Sequence, residues 1–282
     1  MKSNQKRNHA SIVLRHVGRR YIAAAIFVAA WLSGCGGGGN SGTAVAPTAA
    51  PATVVCNAAA TAGSTPIYNG KTTVAICPNI FVDGALSAAE QASISVTINA
   101  AAARDKTYYG SLMAAPPDVV VCKAVECATY FAGPSLRNTF LPANTFAGSF
   151  VAPRPTIVIV AVASDTENVL THEGSHVELA ARIGSGRVPA WFNEGLATMV
   201  GGAPDCTGVT ARAFTDLRQV EDQPIWNAQT NSTAVFLPAY CQARAEVAAW
   251  SNARPAGAAI SLLAAVKSGT QFYTAYGAFL TQ

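Results

Sequence analysis

The sequence predicts an α+β fold in which a small, mixed β-sheet lobe comes first, a pair of helices follows, and a helical part ends the chain. Short apolar runs typical of strands lie between residues 72 and 163. Beyond residue 203, apolar side chains such as Leu262, Leu263 and Val266 recur at helical spacing. Between these regions, the sequences HEGSH and WFNEGLA predict two helices separated by a glycine-containing break.

A leader precedes the fold at residues 1–34. It contains six basic residues and no acidic one, and its apolar run at 21–32 is too short for a spanning helix, so it predicts a signal peptide. Its end, Leu-Ser-Gly followed by Cys35, resembles a bacterial lipobox. This resemblance implies an acylated Cys35 that anchors the protein in the cell envelope, and Gly36 is compatible with the outer membrane. The alternative is an ordinary secretory signal with an incidental cysteine.

The mature chain has no basic surplus. Without the leader, 13 of the 19 Lys and Arg residues remain against 15 acidic residues, so the net charge is about −2. A nucleic acid partner is therefore not expected, because no basic stripe is left to follow a phosphate backbone. Residues 35–65 are rich in Gly, Ala, Pro and Thr and predict a tether, which leaves residues 66–282 as one domain.

Six cysteines follow Cys35, and an even number in an exported protein predicts three disulfides. Fifteen connectivities are possible, and pairing between sequence neighbours is the expectation. A cysteine-ligated zinc is the rival interpretation, which the absence of a CxxC pair disfavours. The neighbouring pairs are Cys56 with Cys77, Cys122 with Cys127, and Cys206 with Cys241.

The β-sheet lobe is predicted from short segments. Residues 72–82 are β-rich, and Ser87 with Glu90 forms a capping box that opens a helix to about residue 107. Residues 118–122 predict a short strand. The apolar run at 156–163 predicts a strand buried on both faces, which leads directly into the helix that carries HEGSH.

The HEGSH sequence predicts a metal site. His172 and His176 are four residues apart, so on a helix they lie on one face, and Glu173 lies beside them. A chance match is the alternative. It is weakened because the chain has four histidines and the other two, His9 and His16, fall in the leader.

Glu194 is the expected third ligand. The first helix is predicted to run to Ile183, and Gly184 and Gly186 allow the chain to reverse. Pro189 suits the first turn of the returning helix, which would carry Glu194 alongside the histidines. The alternative for Glu194 alone is a solvated helix glutamate.

At HEGSH and WFNEGLA the chain resembles the gluzincins, the peptidase MA-like zinc metallopeptidases. The resemblance implies a zincin-like fold with His172, His176 and Glu194 as zinc ligands and Glu173 as the general base. The GxMEN motif of the aminopeptidase N family does not occur before His172, so aminopeptidase specificity is not implied.

An oxyanion donor besides the metal is also expected. Tyr240, on a helix predicted to begin at Pro238, is the candidate, with packing against the Cys241 disulfide as the alternative and Tyr276 as the second choice. Two groups that flank Glu194, Asn193 and Thr198, are expected to orient it. By analogy, the strand at 156–163 is expected to pair with the substrate backbone.

The sequence therefore predicts a lipid-anchored, zinc-dependent metallopeptidase of the bacterial cell envelope that hydrolyses peptide or protein substrates. The alternative is a non-catalytic envelope lipoprotein that uses the same scaffold to bind peptides or a partner. The complete set of His172, Glu173, His176 and Glu194 favours catalysis, because a binding scaffold has no need of the base.

Overall fold

The computed structural model describes residues 53–133, 138–160 and 165–278, without the side chains of Phe146 and Ala147. The leader, Cys35 and the first part of the tether lie outside the described residues, as do residues 161–163 of the last predicted strand. Within the described residues, no helix is both long and apolar enough to cross a membrane.

The α+β class is confirmed, and helix α2 and strands β6 to β8, which were not predicted, lie between the predicted strands at 118–122 and 156–163. The strands are β1 (Ile67–Tyr68), β2 (Lys71–Thr72), β3 (Val74–Cys77), β4 (Ile80–Val82), β5 (Asp118–Cys122), β6 (Thr139–Leu141), β7 (Phe146–Ala147), β8 (Phe150–Val151) and β9 (Thr156–Val160). The α-helices are α1 (Ala88–Tyr109), α2 (Val125–Ala132), α3 (Thr166–Ile183), α4 (Ala190–Gly201), α5 (Gln223–Thr230), α6 (Thr233–Asn252), α7 (Ala258–Lys267) and α8 (Phe272–Tyr276).

The main sheet is mixed and has the strand order β3-β4-β5-β9-β6. Strands β4, β5 and β9 are parallel, whereas β3 and β6 run antiparallel to their neighbours. The inner strands β5 and β9 consist almost entirely of buried residues, as the apolar runs predict. Strand β6 is the edge strand on the side of helix α3, and its Phe140 pairs with Ile157 of β9.

Helix α1 begins as the capping box predicts. The Ser87 hydroxyl accepts a hydrogen bond from the backbone N–H of Glu90, and the Glu90 carboxylate accepts one from the backbone N–H of Ser87. These two bonds satisfy donors that the first turn of a helix would otherwise leave free.

Helices α3 and α4 pack closely because glycines lie at their contacts. A Cβ at Gly201 would lie 2.6 Å from the backbone nitrogen of His172, and one at Gly195 would lie 2.5 Å from the carbonyl oxygen of Ala243 on α6. Helix α4 is therefore held between α3 and α6 at distances that only glycine permits. This packing fixes the position of Glu194 relative to the histidines.

Two boundaries predicted from the sequence differ in the structure, namely the start of the helix that carries Tyr240 and the end of the tether. The helix with Tyr240 begins at Thr233, not at Pro238, so Pro238 lies inside α6, about one turn in from its start. Residues 53–65, assigned to the tether by composition, are joined to the domain. The backbone N–H of Val55 donates to the Ser95 hydroxyl (2.9 Å) and Cys56 is bonded to Cys77.

The three predicted disulfides are confirmed. They join Cys56 to Cys77, Cys122 to Cys127, and Cys206 to Cys241. The last of these ties the irregular segment after α4 to α6, which carries Tyr240.

Candidate metal centre

The structure brings the three predicted ligands together. His172 and His176 lie one turn apart on α3, and Glu194 lies on the first half of α4. The two Nε2 atoms are 3.1 Å apart, and Oε2 of Glu194 lies 3.4 Å from Nε2 of His172 and 3.5 Å from Nε2 of His176. These three residues form a buried group that could hold a metal ion.

The distances fit a tetrahedral ion. Zinc binds imidazole nitrogen and carboxylate oxygen at about 2.0–2.2 Å, so two ligands of a tetrahedral zinc lie about 3.3–3.6 Å apart. The three separations given above fall in or close to this range. Two neutral imidazole nitrogens facing each other at 3.1 Å would place two lone pairs in contact, so the arrangement needs a cation or a proton between them.

Two amide side chains hold His176 and Glu194 in place, whereas Nδ1 of His172 is buried and has no hydrogen-bond partner among the described residues. Nδ1 of His176 lies 2.8 Å from Oδ1 of Asn193, which as an acceptor selects the tautomer with the proton on Nδ1 and the lone pair on Nε2. Nε2 of Gln223 donates to Oε1 of Glu194 (3.2 Å), which leaves Oε2 to face the histidines. Gln223, at the start of α5, was not predicted, because no sequence spacing relates it to HEGSH.

The expectation that Asn193 and Thr198 orient Glu194 is not what the structure shows. The amide oxygen of Asn193 contacts His176 instead, because successive residues on α4 point in different directions. The Thr198 hydroxyl is buried and has no hydrogen-bond partner among the described residues.

When no metal is bound, the charges of the centre favour a protonated His176. Burial disfavours a charged His176, but the Glu194 carboxylate outweighs burial and raises the pKa of His176 to about 9. Burial likewise disfavours charge on Glu194, yet the two histidines hold the pKa of Glu194 well below its ordinary value. At neutral pH the metal-free centre is therefore an ion pair whose proton a metal would displace.

Glu173 lies beside the ligands without joining them. It is buried, and burial raises the pKa of its carboxyl, whereas the charges of His172 and His176 act in the opposite direction. A backbone hydrogen bond from Phe140 of β6 also stabilises the carboxylate. A carboxylate with a raised pKa is a stronger base than an ordinary glutamate, which suits Glu173 to proton transfer beside a metal site.

The ligands open onto a cleft of about 640 Å³. Tyr240 lines this cleft, and its ring centroid lies 6.1 Å from that of His172. Tyr276, the second choice for the oxyanion donor, is fully buried, donates its hydroxyl proton to Glu246 (3.0 Å) and stacks on Trp250. Tyr276 belongs to the core and does not line the cleft, so Tyr240 remains the candidate.

The prediction that the strand at 156–163 pairs with the substrate is wrong. Strand β9 lies between β5 and β6, so both of its edges are already paired. The strand that lines the cleft is β6, through Thr139, Phe140 and Leu141. With only three residues, β6 is too short to stand out in the sequence.

A second metal-like group consists of Asp83, Cys122 and Cys127. The two thiols are joined in a disulfide, and the Asp83 carboxylate accepts hydrogen bonds from the backbone at Ala85 and Ala124. These groups are therefore engaged in holding the fold. All six cysteines among the described residues are paired in disulfides, so they offer no free thiolate for the rival interpretation, a cysteine-ligated zinc.

Comparison of the chain with protein families, with curated proteins and with solved structures finds no match in any of the three. The assignment of the site therefore rests on the side-chain geometry given above.

Proposed function

We propose that this protein is a zinc metallopeptidase of the gluzincin type, which hydrolyses peptide bonds in peptide or protein substrates. The observation that carries the proposal is the tetrahedral spacing of His172 Nε2, His176 Nε2 and Glu194 Oε2, with Glu173 beside them in an open cleft. Three protein ligands leave the fourth position of a tetrahedral zinc open, which is typical of catalytic sites and not of structural ones.

Zinc held by these residues would supply a Lewis acid that polarises a carbonyl group and makes water easier to deprotonate. Glu173 would accept the proton of the attacking water and deliver it to the leaving amine. Its raised pKa favours the first transfer, because a carboxylate that binds a proton more tightly than usual is a stronger base.

Two further groups would act on the substrate. Strand β6 has a paired neighbour on one side only among the described strands. Apart from the backbone N–H of Phe140, which donates to Glu173, its other edge would offer backbone groups to an extended peptide. Tyr240 would donate a hydrogen bond to the oxygen that becomes negative in the transition state. Both line the same cleft as the metal ligands.

The test compares the wild-type domain with Glu173→Gln on a mixed-sequence peptide library, read by mass spectrometry. We expect wild-type cleavage and a loss of roughly 10²- to 10⁴-fold in the variant, with equal zinc content because Glu173 is not a ligand. A zinc-loaded wild-type protein that cleaves no peptide would overturn the proposal and favour the peptide-binding scaffold. Undiminished cleavage by Glu173→Gln would show that Glu173 is not the base.

We also propose that acylated Cys35 anchors the protein in the cell envelope, which rests on the lipobox-like sequence. Full-length protein should then partition into the detergent phase, and Cys35→Ala should lose this partitioning or remain unprocessed. Detergent-phase partitioning that survives Cys35→Ala would mean that an uncleaved leader is the anchor.

A further inference from the structure

A second cavity, of about 90 Å³, lies on the side of helix α3 opposite the cleft that holds the metal ligands. It is lined on α3 by Leu170, Gly174 and Val177, whereas the metal cleft is lined by His172 and His176. Two positions along a helix correspond to a rotation of about 200°. The two cavities therefore face away from each other, and they share no lining residue.

Two buried oxygen atoms in this cavity wall have no hydrogen-bond partner among the described residues. They are Oδ1 of Asp105, on α1, and Oδ1 of Asn79, next to β4, and each residue is only 3 % exposed. The Asn79 amide nitrogen donates to the carbonyl of Pro117 (2.7 Å), which fixes the amide with its oxygen left over. Buried polar atoms are normally paired, so these two require a donor.

The nearby charges do not supply that donor. Glu178 also lines the cavity, but its carboxylate accepts hydrogen bonds from the backbone at Met113 and Ala114 and pairs with Arg182 (2.8 Å). Arg104 donates to the amide oxygen of Asn168 (2.8 Å). Among the residues that the structure describes, no Lys, Arg or His lines the cavity.

The rest of the wall is mostly apolar, with Ile80, Ile98, Val119 and Ile157 among the lining residues. A ligand that fits must therefore combine an apolar body with a group that donates several hydrogen bonds to acidic or amide oxygens. A single water molecule needs about 10–15 Å³ of cavity volume, so a cavity of about 90 Å³ has room for on the order of six non-hydrogen atoms.

We propose that this cavity binds a small primary alkylammonium ion, whose head group donates to Asp105 and Asn79 and whose tail lies against the apolar wall. An ammonium group has three donors and a positive charge, which meets both unpaired oxygens and the Asp105 carboxylate. A neutral alcohol of the same length has one donor and no charge, so it should bind much more weakly.

Gly174 allows the Asp105 side chain, and with it the bound ammonium ion, to lie against the backbone of helix α3. A Cβ at Gly174 would lie 2.2 Å from Oδ2 of Asp105, so the carboxylate packs directly on the α3 backbone between the two histidines. Burial raises the pKa of Asp105 to about 8, so at neutral pH this carboxyl group is largely protonated until a cation binds and displaces the proton. A bound ammonium ion would supply this cation.

The experiment titrates the mature protein with n-butylammonium chloride and, separately, with n-butanol, and follows backbone amide NMR shifts. We expect saturable shifts at Ala114 and Gly174 with the amine, and at least tenfold weaker binding of the alcohol. His172→Ala should bind the amine as the wild type does, which separates this cavity from binding at the metal. Shifts confined to the metal cleft, or equal binding of the alcohol, would overturn the proposal.

Two variants locate the site. Asp105→Asn removes the charge at nearly constant size and should weaken amine binding at least tenfold. If this variant does not fold, Ala102→Leu is the second variant, because Ala102 is a partly buried lining residue whose enlargement fills the cavity without removing a polar group. Wild-type affinity for the amine in a folded variant of either kind would contradict the assignment.

Discussion

The contact between Gly201 and α3 should control zinc affinity from outside the ligand set. In Gly201→Ala, the new Cβ would lie 2.6 Å from the His172 nitrogen and 2.7 Å from the Asn168 carbonyl oxygen. Both are backbone atoms of a helix and cannot rotate away. Ordinary contact begins at 3.4 Å, so α4 must move from α3 by about 0.8 Å.

This displacement acts on the metal centre, because Glu194 is on α4 and the histidines are on α3. A shift of about 0.8 Å would open the 3.4 Å separation between His172 and Glu194 well beyond the spacing that zinc requires, since such sites tolerate only about 0.2 Å in ligand distances. We expect zinc affinity to fall by roughly tenfold or more. Overpacking should cost about 1–3 kcal/mol of stability, less the gain of up to about 1 kcal/mol from helix propensity.

The assay is a zinc titration against a chelating indicator, together with urea unfolding of the metal-free protein. Gly84→Ala is the matched control, because a Cβ at Gly84 meets no atom within 4 Å. The control should keep wild-type affinity and stability. The reasoning is refuted if Gly201→Ala binds zinc as tightly as the wild type, or if it is more stable than the wild type.

Three further changes test single contacts of the site. The Glu194 carboxylate raises the pKa of His176 to about 9, so zinc must displace a proton from the centre at neutral pH. The apparent zinc affinity should therefore rise about tenfold per pH unit from pH 6 to 8 and level off above pH 9. Calorimetry in two buffers should detect the release of one proton, and a zinc affinity that does not depend on pH would contradict this. Asn193→Ala should weaken zinc binding about 10- to 100-fold by freeing the His176 ring, and equal affinity in a chelator titration would exclude that role. Tyr240→Phe should lower kcat for peptide cleavage about 10²-fold with little change in KM. Tyr276→Phe should mainly lower the Tm of thermal unfolding, because the Tyr276 hydroxyl is bonded to Glu246 in the core. A lower Tm in Tyr240→Phe together with a lower kcat in Tyr276→Phe would exclude Tyr240 as the donor.

Local patterns made part of the fold and site predictable. The helical spacing of His172 and His176 places both on one face whatever the rest of the fold does. A glycine-containing break and Pro189 suffice to return Glu194 towards them, because the intervening chain is short. Pairing between neighbouring cysteines succeeded for the same reason, and the capping box at Ser87 is itself a local interaction.

Contacts between distant segments could not be predicted in this way. Gln223 reaches Glu194 from the start of α5, 29 residues further along the chain. Strand β6 is defined by its pairing with β9 and not by its three residues. The exchange of roles at Asn193, which contacts His176 in place of Glu194, depends on the angle between two helices, and single-sequence periodicity does not give that angle.

The most direct test of a zinc centre is the metal content of the purified mature protein, measured by plasma mass spectrometry for the wild type and His176→Ala. Two imidazoles and a carboxylate at tetrahedral spacing predict about one zinc per chain in the wild type. Loss of His176 removes one of three ligands, so the variant should retain almost none after dialysis. Full zinc occupancy in folded His176→Ala, or no zinc in the wild type at saturating zinc, would contradict the proposed centre.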